Sequence, residues 1–181
     1  NKGEELLRVD RHSSNIYRTS DSKLQNKSKA NYVKSTLKLK ANEIFLSEIN
    51  LNREFGEIAI PHTPVLRAAA PIYDNNKLLG MVIINLDFGR TLNRIEDTFK
   101  NYDQTVYVTN DQGSFLIHPN PGHRFSFDLG HRHRIQETFP QLSSLYLSSN
   151  TEPNRTIIPE DDVEQAVVSQ KLHFDSLNTK R

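Results

Sequence analysis

The stretch from Val65 to Phe88 constrains this chain more than any other. Val65 to Tyr73 is apolar apart from Arg67, Asp74–Asn75–Asn76–Lys77 supplies turn residues, and Leu78 to Phe88 is a second apolar run. Two strand-forming runs flanking an Asn-rich turn predict an antiparallel β-hairpin. Apolar residues occupy both parities of each run, which predicts a central position with both faces at least partly covered. Leu92, Ile95 and Phe99 then fall at helical spacing and predict a connecting helix over Arg90 to Phe99. A second hairpin follows, with Thr105 to Thr109 and Ser114 to His118 as strands and Asn110–Asp111–Gln112–Gly113 as the turn. Two hairpins joined by one helix predict two similar sheet modules in an α/β (α+β) chain.

Glu5 to Asp10 is a short apolar stretch, and Ser13, Ser14, Ser20, Asp21 and Ser22 around Ile16 and Tyr17 read as a strand edge followed by loop. From Lys23 to Lys40 there are six lysines and no acid. Lys23, Lys27, Lys34 and Lys38 share one helical stripe beside Leu24, Tyr32 and Leu39, which predicts an amphipathic helix with Asp21 or Ser22 as its N-cap. Glu43 to Ile49 and Ile58 to Ile60 read as strands separated by a break over Asn52 to Gly56. Beyond Asn120 the chain is polar and punctuated by prolines. A helix near Ile135 to Phe139 and a strand near Val163 to Phe174 are the legible elements there, and a final strand completing the second sheet is expected to be missing after Arg181. The polar amino end, Asn1 to Glu5, without an initiating Met or signal pattern, reads as that of an excised piece.

Composition excludes several functions. Lys plus Arg number 23 against 22 Asp plus Glu, a net charge of 23 − 22 = +1, and mean hydropathy is −0.64. With no domain-wide basic excess, nucleic acid is not an expected partner; the lysine stripe reads as a hydrated helix face. The absence of cysteine removes disulfides, thiolate metal sites and cysteine nucleophiles. No run approaches the roughly 18 apolar residues of a membrane helix. His118 and His123 flank a Pro-rich turn, and His131 and His133 lie two apart. Arg132 and Arg134 interleave with the latter pair and oppose a bound cation, so these read as solvated loop histidines and no metal site or cofactor is assigned. There is no G-x-S-x-G elbow and no Gly-rich phosphate loop among 7 glycines. No residue is assigned a catalytic role, and the fragment is read as not an enzyme.

Arg67 and Asp87 stand apart, because each is a charge inside an otherwise apolar strand and the hairpin puts them on neighbouring strands. A buried charge needs a partner. Either they pair as structure, or they line a cavity in which Arg67 meets a ligand carboxylate through its guanidinium fork and Asp87 meets an amine or hydroxyl. Tyr32, on the preceding helix, would close such a pocket with its phenol or else serve as core packing.

Taken together, LLRVDR (Leu6 to Arg11), LQNKSKANYV (Leu24 to Val33), FLSEINLNREFGEI (Phe45 to Ile58), PVLRAAAPIYD (Pro64 to Asp74), GMVIINLDF (Gly80 to Phe88) and GSFLIHPNPGHRFSFDLG (Gly113 to Gly130) resemble the double Cache sensor domains, also described as PDC or PAS-like. The resemblance spans about residues 5 to 130. It implies two stacked PAS-like modules, each a mostly antiparallel sheet flanked by helices. These are a membrane-distal ligand-binding module over residues 1–98 and a smaller membrane-proximal one over 99–181. It further implies a long N-terminal helix, absent here, through which homodimers form, and a periplasmic position in a receptor anchored in the inner membrane. The cytoplasmic output would be a GGDEF diguanylate cyclase or a histidine kinase, as the LNRE and IHPNP blocks most resemble sensors of those classes.

Amino-acid-binding members of the family show an Arg-x-Trp-Tyr run on the pocket helix and an Asp at the end of a pocket strand. Here the run is Ala30–Asn31–Tyr32–Val33, so Tyr32 takes the Trp place and Asp87 matches the strand Asp. Ala30 and Val33 depart from the pattern, and Lys29 or Lys27 would supply the lost positive charge by pointing inward. The expected ligand site is therefore Tyr32, Arg67, Asp87 and Lys29, and the expected ligand a small organic molecule of the carboxylate or amino-acid class. The other reading of the chain is an extracytoplasmic domain that binds a protein or polysaccharide and has no small-molecule pocket.

Overall fold

Short elements joined by tight turns make up most of this chain, and one long hairpin organises them. The computed structural model describes residues 3–12, 14–102, 104–147, 151–160 and 163–172. A short hairpin of β1 (Val9–His12) and β2 (Asn15–Arg18) comes first. The predicted lysine helix is largely absent: one 3-10 turn covers Asp21–Lys23, and the α-helix α1 is only Asn31–Thr36. Asn26 Oδ1 accepts the Ser28 N–H at 2.9 Å, and the Gln25 carbonyl accepts the Glu5 N–H at 3.0 Å. Side-chain and cross-chain bonds thus take backbone groups that a continuous helix would need. Ala30, rather than Asp21 or Ser22, precedes α1, and it provides no side-chain cap.

Four short strands follow: β3 (Phe45–Leu46), β4 (Asn50–Leu51), β5 (Arg53–Glu54) and β6 (Glu57–Ile58). The long hairpin is formed as the sequence predicts, with β7 (Pro64–Asp74) antiparallel to β8 (Lys77–Asp87). Asn75 and Asn76 make its turn with φ of 47° and 64°, the left-handed region that Asn tolerates best among non-glycine residues. β7 is central, pairing with β3 and β4 on one side and β8 on the other. β8 is an edge, which corrects its expected central placement. Its register puts Val82, Ile84 and Leu86 opposite Ala70, Ala68 and Leu66, and these three β8 residues are 52%, 56% and 46% exposed. α1 packs against β3 and β7.

The helix α2 (Gly89–Lys100) leads to the second hairpin, β9 (Val108–Thr109) with β10 (Phe115–Ile117). Its turn is built by Asn110, whose Oδ1 accepts N–H groups from Gln112 and Ser114, both at 3.0 Å. Then come α3 (Ile135–Thr138), α4 (Ser144–Leu147) and a third hairpin of β11 (Asn154–Glu160) with β12 (Val163–Ser169). The expected strand near Val163 to Phe174 is β12, although Phe174 and the chain end lie outside the described residues.

Two apolar clusters organise these elements. Leu51 and Leu92 pack with Leu116, Ile117 and Phe125, joining residues from both sides of position 98. Phe115, Ile135, Leu142 and Ile158 form the other, within the second half. Polar contacts also cross that position. Asp128 Oδ2 accepts the Leu51 N–H at 2.7 Å, and Arg124 makes a two-bond fork with Glu96 on α2 at 2.9 and 3.0 Å.

Candidate functional site

β7 carries Arg67 on the sheet face that α1 covers, and the side chain is only 5% exposed. Its Nη1 donates to Asn50 Oδ1 at 2.7 Å and its Nη2 to Asn52 Oδ1 at 3.2 Å. The guanidinium carbon lies 5.1 Å from the Tyr32 ring centroid, within cation–π range. Nε is buried without a partner. Among the described residues no carboxylate forms an ion pair with Arg67; Asp128 and Glu54 act on it at longer range. Burial lowers the Arg67 pKa from its ordinary value, opposed by Tyr32, Asp128 and Glu54. Burial likewise raises the Tyr32 phenol, with Arg67 opposing and Glu5 and Glu54 adding to the rise. The result is a desolvated cation held by neutral oxygens, an arrangement that favours an incoming anion.

The four expected site residues are not brought together. Tyr32 meets Arg67. Asp87 is exposed, and its Oδ1 accepts the Gly89 N–H at 2.9 Å, at the entry to α2. Register pairs Arg67 with Asn85 and Asp87 with Val65, so Asp87 lies two pairs further along the hairpin than Arg67. Lys29 is exposed, whereas Lys27 turns inward, with Nζ 3.3 Å from the Arg53 carbonyl and 3.8 Å from Glu54.

Three residues that contact or support Arg67 escaped sequence reasoning: Asn50, Asn52 and Glu54. They lie at i, i+2 and i+4 along Ile49 to Glu54, a period-two polar row that marks one strand face. Asn52 bridges the guanidinium to Glu54, donating from Nδ2 to Glu54 Oε1 at 3.3 Å. Glu54 also accepts from Gln25 and from Arg8 at 3.2 Å, tying the amino-terminal segment to the site.

Burial alone would raise the Glu54 carboxyl, but hydrogen bonds from Gln25 and Asn52 and the charges of Lys27 and Arg8 outweigh it and leave it below its ordinary value. Such a carboxyl contributes stability above its unfolded pKa, and the contribution disappears as pH falls through the folded one. Glu54→Gln is therefore expected to lower the melting temperature at neutral pH and to leave it close to wild type in acid. The side chain is 38% exposed, so solvent screens the effect and it stays small. Thermal unfolding across the acid range measures it, and parallel profiles for the two proteins would refute it.

Clefts on the described surface include two of similar size. One, of about 340 Å³, runs between α2 and β10 and is lined by Asp87, Arg90, Glu96, Arg124, Ile117 and Phe125 among others. The other, of about 320 Å³, lies along the first hairpin by Arg8, Asp10, Tyr17 and Lys23. Neither is lined by Arg67 or Tyr32. No group of three or more metal-ligating side chains comes together among the described residues, and no helix among them is long and apolar enough to cross a membrane.

Comparison with known proteins places this geometry in a family. A search of the curated proteins finds no match to the chain. Among solved structures, the chain is similar to the extracellular domain of vpHK1S-Z8, assigned as a histidine kinase. Identity is 20% and the TM-score 0.63, over 86% of this chain and 56% of that one. It is also similar to a domain of a sensory box/GGDEF family protein from Vibrio parahaemolyticus, at 18% identity and a TM-score of 0.65, covering 92% of this chain and 67% of that one. The chain thus spans little more than half the length of the first of these. Both likenesses support the mixed α+β sensor fold with antiparallel sheets. The family model for the bacterial histidine kinase sensor domain matches residues 1–148, and the chain belongs to that family.

Proposed function

We propose that this chain is the extracytoplasmic ligand-sensing domain of a membrane-anchored receptor and that its first 98 residues recognise a small carboxylate or amino acid through Arg67. A histidine kinase or GGDEF module is the output we assign to the parent protein, by its family and its structural neighbours. One observation carries the ligand reading: a guanidinium 5% exposed, held by two Asn oxygens and one aromatic ring, with an unpartnered Nε and no carboxylate paired to it. A ligand carboxylate supplies the missing anion. Since a ligand shifts a two-state equilibrium only by its differential affinity, binding that draws Arg67 away from Asn52 would bias the Asn52–Glu54–Arg8 network and the segment it holds.

A thermal-shift screen of small carboxylates and amino acids against their methyl esters tests this. At a hundredfold excess over Kd, a binding acid should add about 2.7 kcal/mol of stability, and its ester should add little. A second reading, a protein- or polysaccharide-binding domain without a small-molecule pocket, is favoured by one observation: Arg67 and Tyr32 line neither cleft. A screen in which no acid outperforms its ester would favour that reading over ours.

A further inference from the structure

Three of the seven histidines, expected to be solvated and separate, stack on one another in the second half of the chain. His118 follows β10, His123 ends the 3-10 turn Pro121–His123, and His133 precedes α3. Ring centroids of His118 and His123 are 4.5 Å apart, and those of His123 and His133 are 4.0 Å apart with planes at 11°. Phe115 and Tyr107 meet His118 edge-on at 4.5 and 5.4 Å.

Three features of the cluster suit an uncharged His118. The Asn120 N–H donates to His118 Nδ1 at 2.9 Å, a bond that only an unprotonated nitrogen accepts. His123 Nδ1 is buried with no partner. The charged or chargeable groups facing His118 are His123 and Arg124 from the turn, His133 from the opposing segment and the phenol ring of Tyr107 beside β9, none of them a carboxylate. The nearby carboxylates are engaged elsewhere: Glu96 with Arg124 and Lys100, and Glu137 with Arg132.

We propose that this cluster is a proton-sensitive latch on the turn from His118 to Arg124, closed while His118 is neutral and opened when it gains a proton. Opening would reach the rest of the molecule by a short route. Arg124 Nε donates to the His118 carbonyl at 2.6 Å while its two Nη groups hold Glu96 on α2, the helix between the two large hairpins.

Burial, then the charge of His123, with Arg124 and His133 adding, outweighs the opposing contribution of the Asn120 backbone bond and keeps His118 below the usual imidazole range. A base depressed in this way contributes stability above its unfolded pKa and loses that contribution as pH falls through the folded value. The latch therefore weakens in mild acid.

Hydrogen exchange of the whole chain, corrected for intrinsic rates, tests this. Amides of Asn120, Gly122, His123 and Arg124 should lose protection several-fold between neutral pH and mild acid. His118→Asn, which keeps an acceptor oxygen for the Asn120 N–H and does not titrate there, should retain it. His123→Phe keeps a ring in the stack but removes a neighbouring charge, so its loss should begin at higher pH than in wild type. Equal protection of the wild-type turn at both pH values would overturn the proposal. So would a His118→Asn profile that follows wild type, or, if that variant does not fold, an unshifted His123→Phe profile.

Discussion

Phe115→Ala is expected to destabilise the protein by about 3–5 kcal/mol, the range for emptying a fully buried aromatic site. Phe115 is 0% exposed and is the centre of the cluster with Ile135, Leu142 and Ile158. Its ring also packs against Tyr107 at 5.9 Å and His118 at 4.5 Å. Tyr107, His118 and Ile158 belong to three different segments, so none can collapse into the void without displacing its own element. A typical domain has roughly 5–15 kcal/mol in total, and for a chain of this size the loss corresponds to a drop of about 6–20 °C in melting temperature. Urea and thermal unfolding measure both quantities. Leu147→Ala, at a site 89% exposed, serves as the comparison and should change stability by no more than about 0.5 kcal/mol. If the two variants cost similar amounts, Phe115 is not the packing centre described above.

The large hairpin, α2 and the second hairpin were legible in the sequence, because each is specified locally. Asn75 and Asn76 adopt the backbone their turn needs, Leu92 and Ile95 keep one face of α2 on the core, and Asn110 ties its own turn together. What was not legible depended on bonds between distant segments. The lysine-rich stretch has helical periodicity, yet Gln25 and Asn26 give backbone and side-chain groups to Glu5 and Ser28 instead. Arg67 and Tyr32 could be singled out as a buried charge and a neighbouring phenol, whereas Asp87, singled out as a charge on the neighbouring strand, is exposed. It lies at the junction with α2, where the Gly89 N–H takes its carboxylate. The partners Asn50 and Asn52 escaped notice because their period-two row runs from the end of one expected strand into the expected break at Asn52 to Gly56, across two-residue strands.

Arg67→Met separates the structural role of the guanidinium from its role in recognition, and here the expected result is an asymmetry. Removing the charge relieves the desolvation of a buried cation that no carboxylate among the described residues pairs with directly, and apolar replacements of buried charges are often neutral or stabilising. It also leaves Asn50 Oδ1 and Asn52 Oδ1 without their donor, at about 1–3 kcal/mol for each such group. A side chain of similar length keeps the volume under Tyr32 filled. These opposing effects are of similar size, so the ligand-free stability should change by no more than about 2 kcal/mol in either direction. The response to carboxylates should vanish entirely, because methionine offers no donor and no charge. Arg67→Lys keeps the charge but loses the planar fork, and so should retain a weakened response. Calorimetric titration of the three proteins with a carboxylate that stabilises the wild type decides the matter. An undiminished response in Arg67→Met would place the anion elsewhere, and the cleft by Arg90 and Arg124 would become the next site to test.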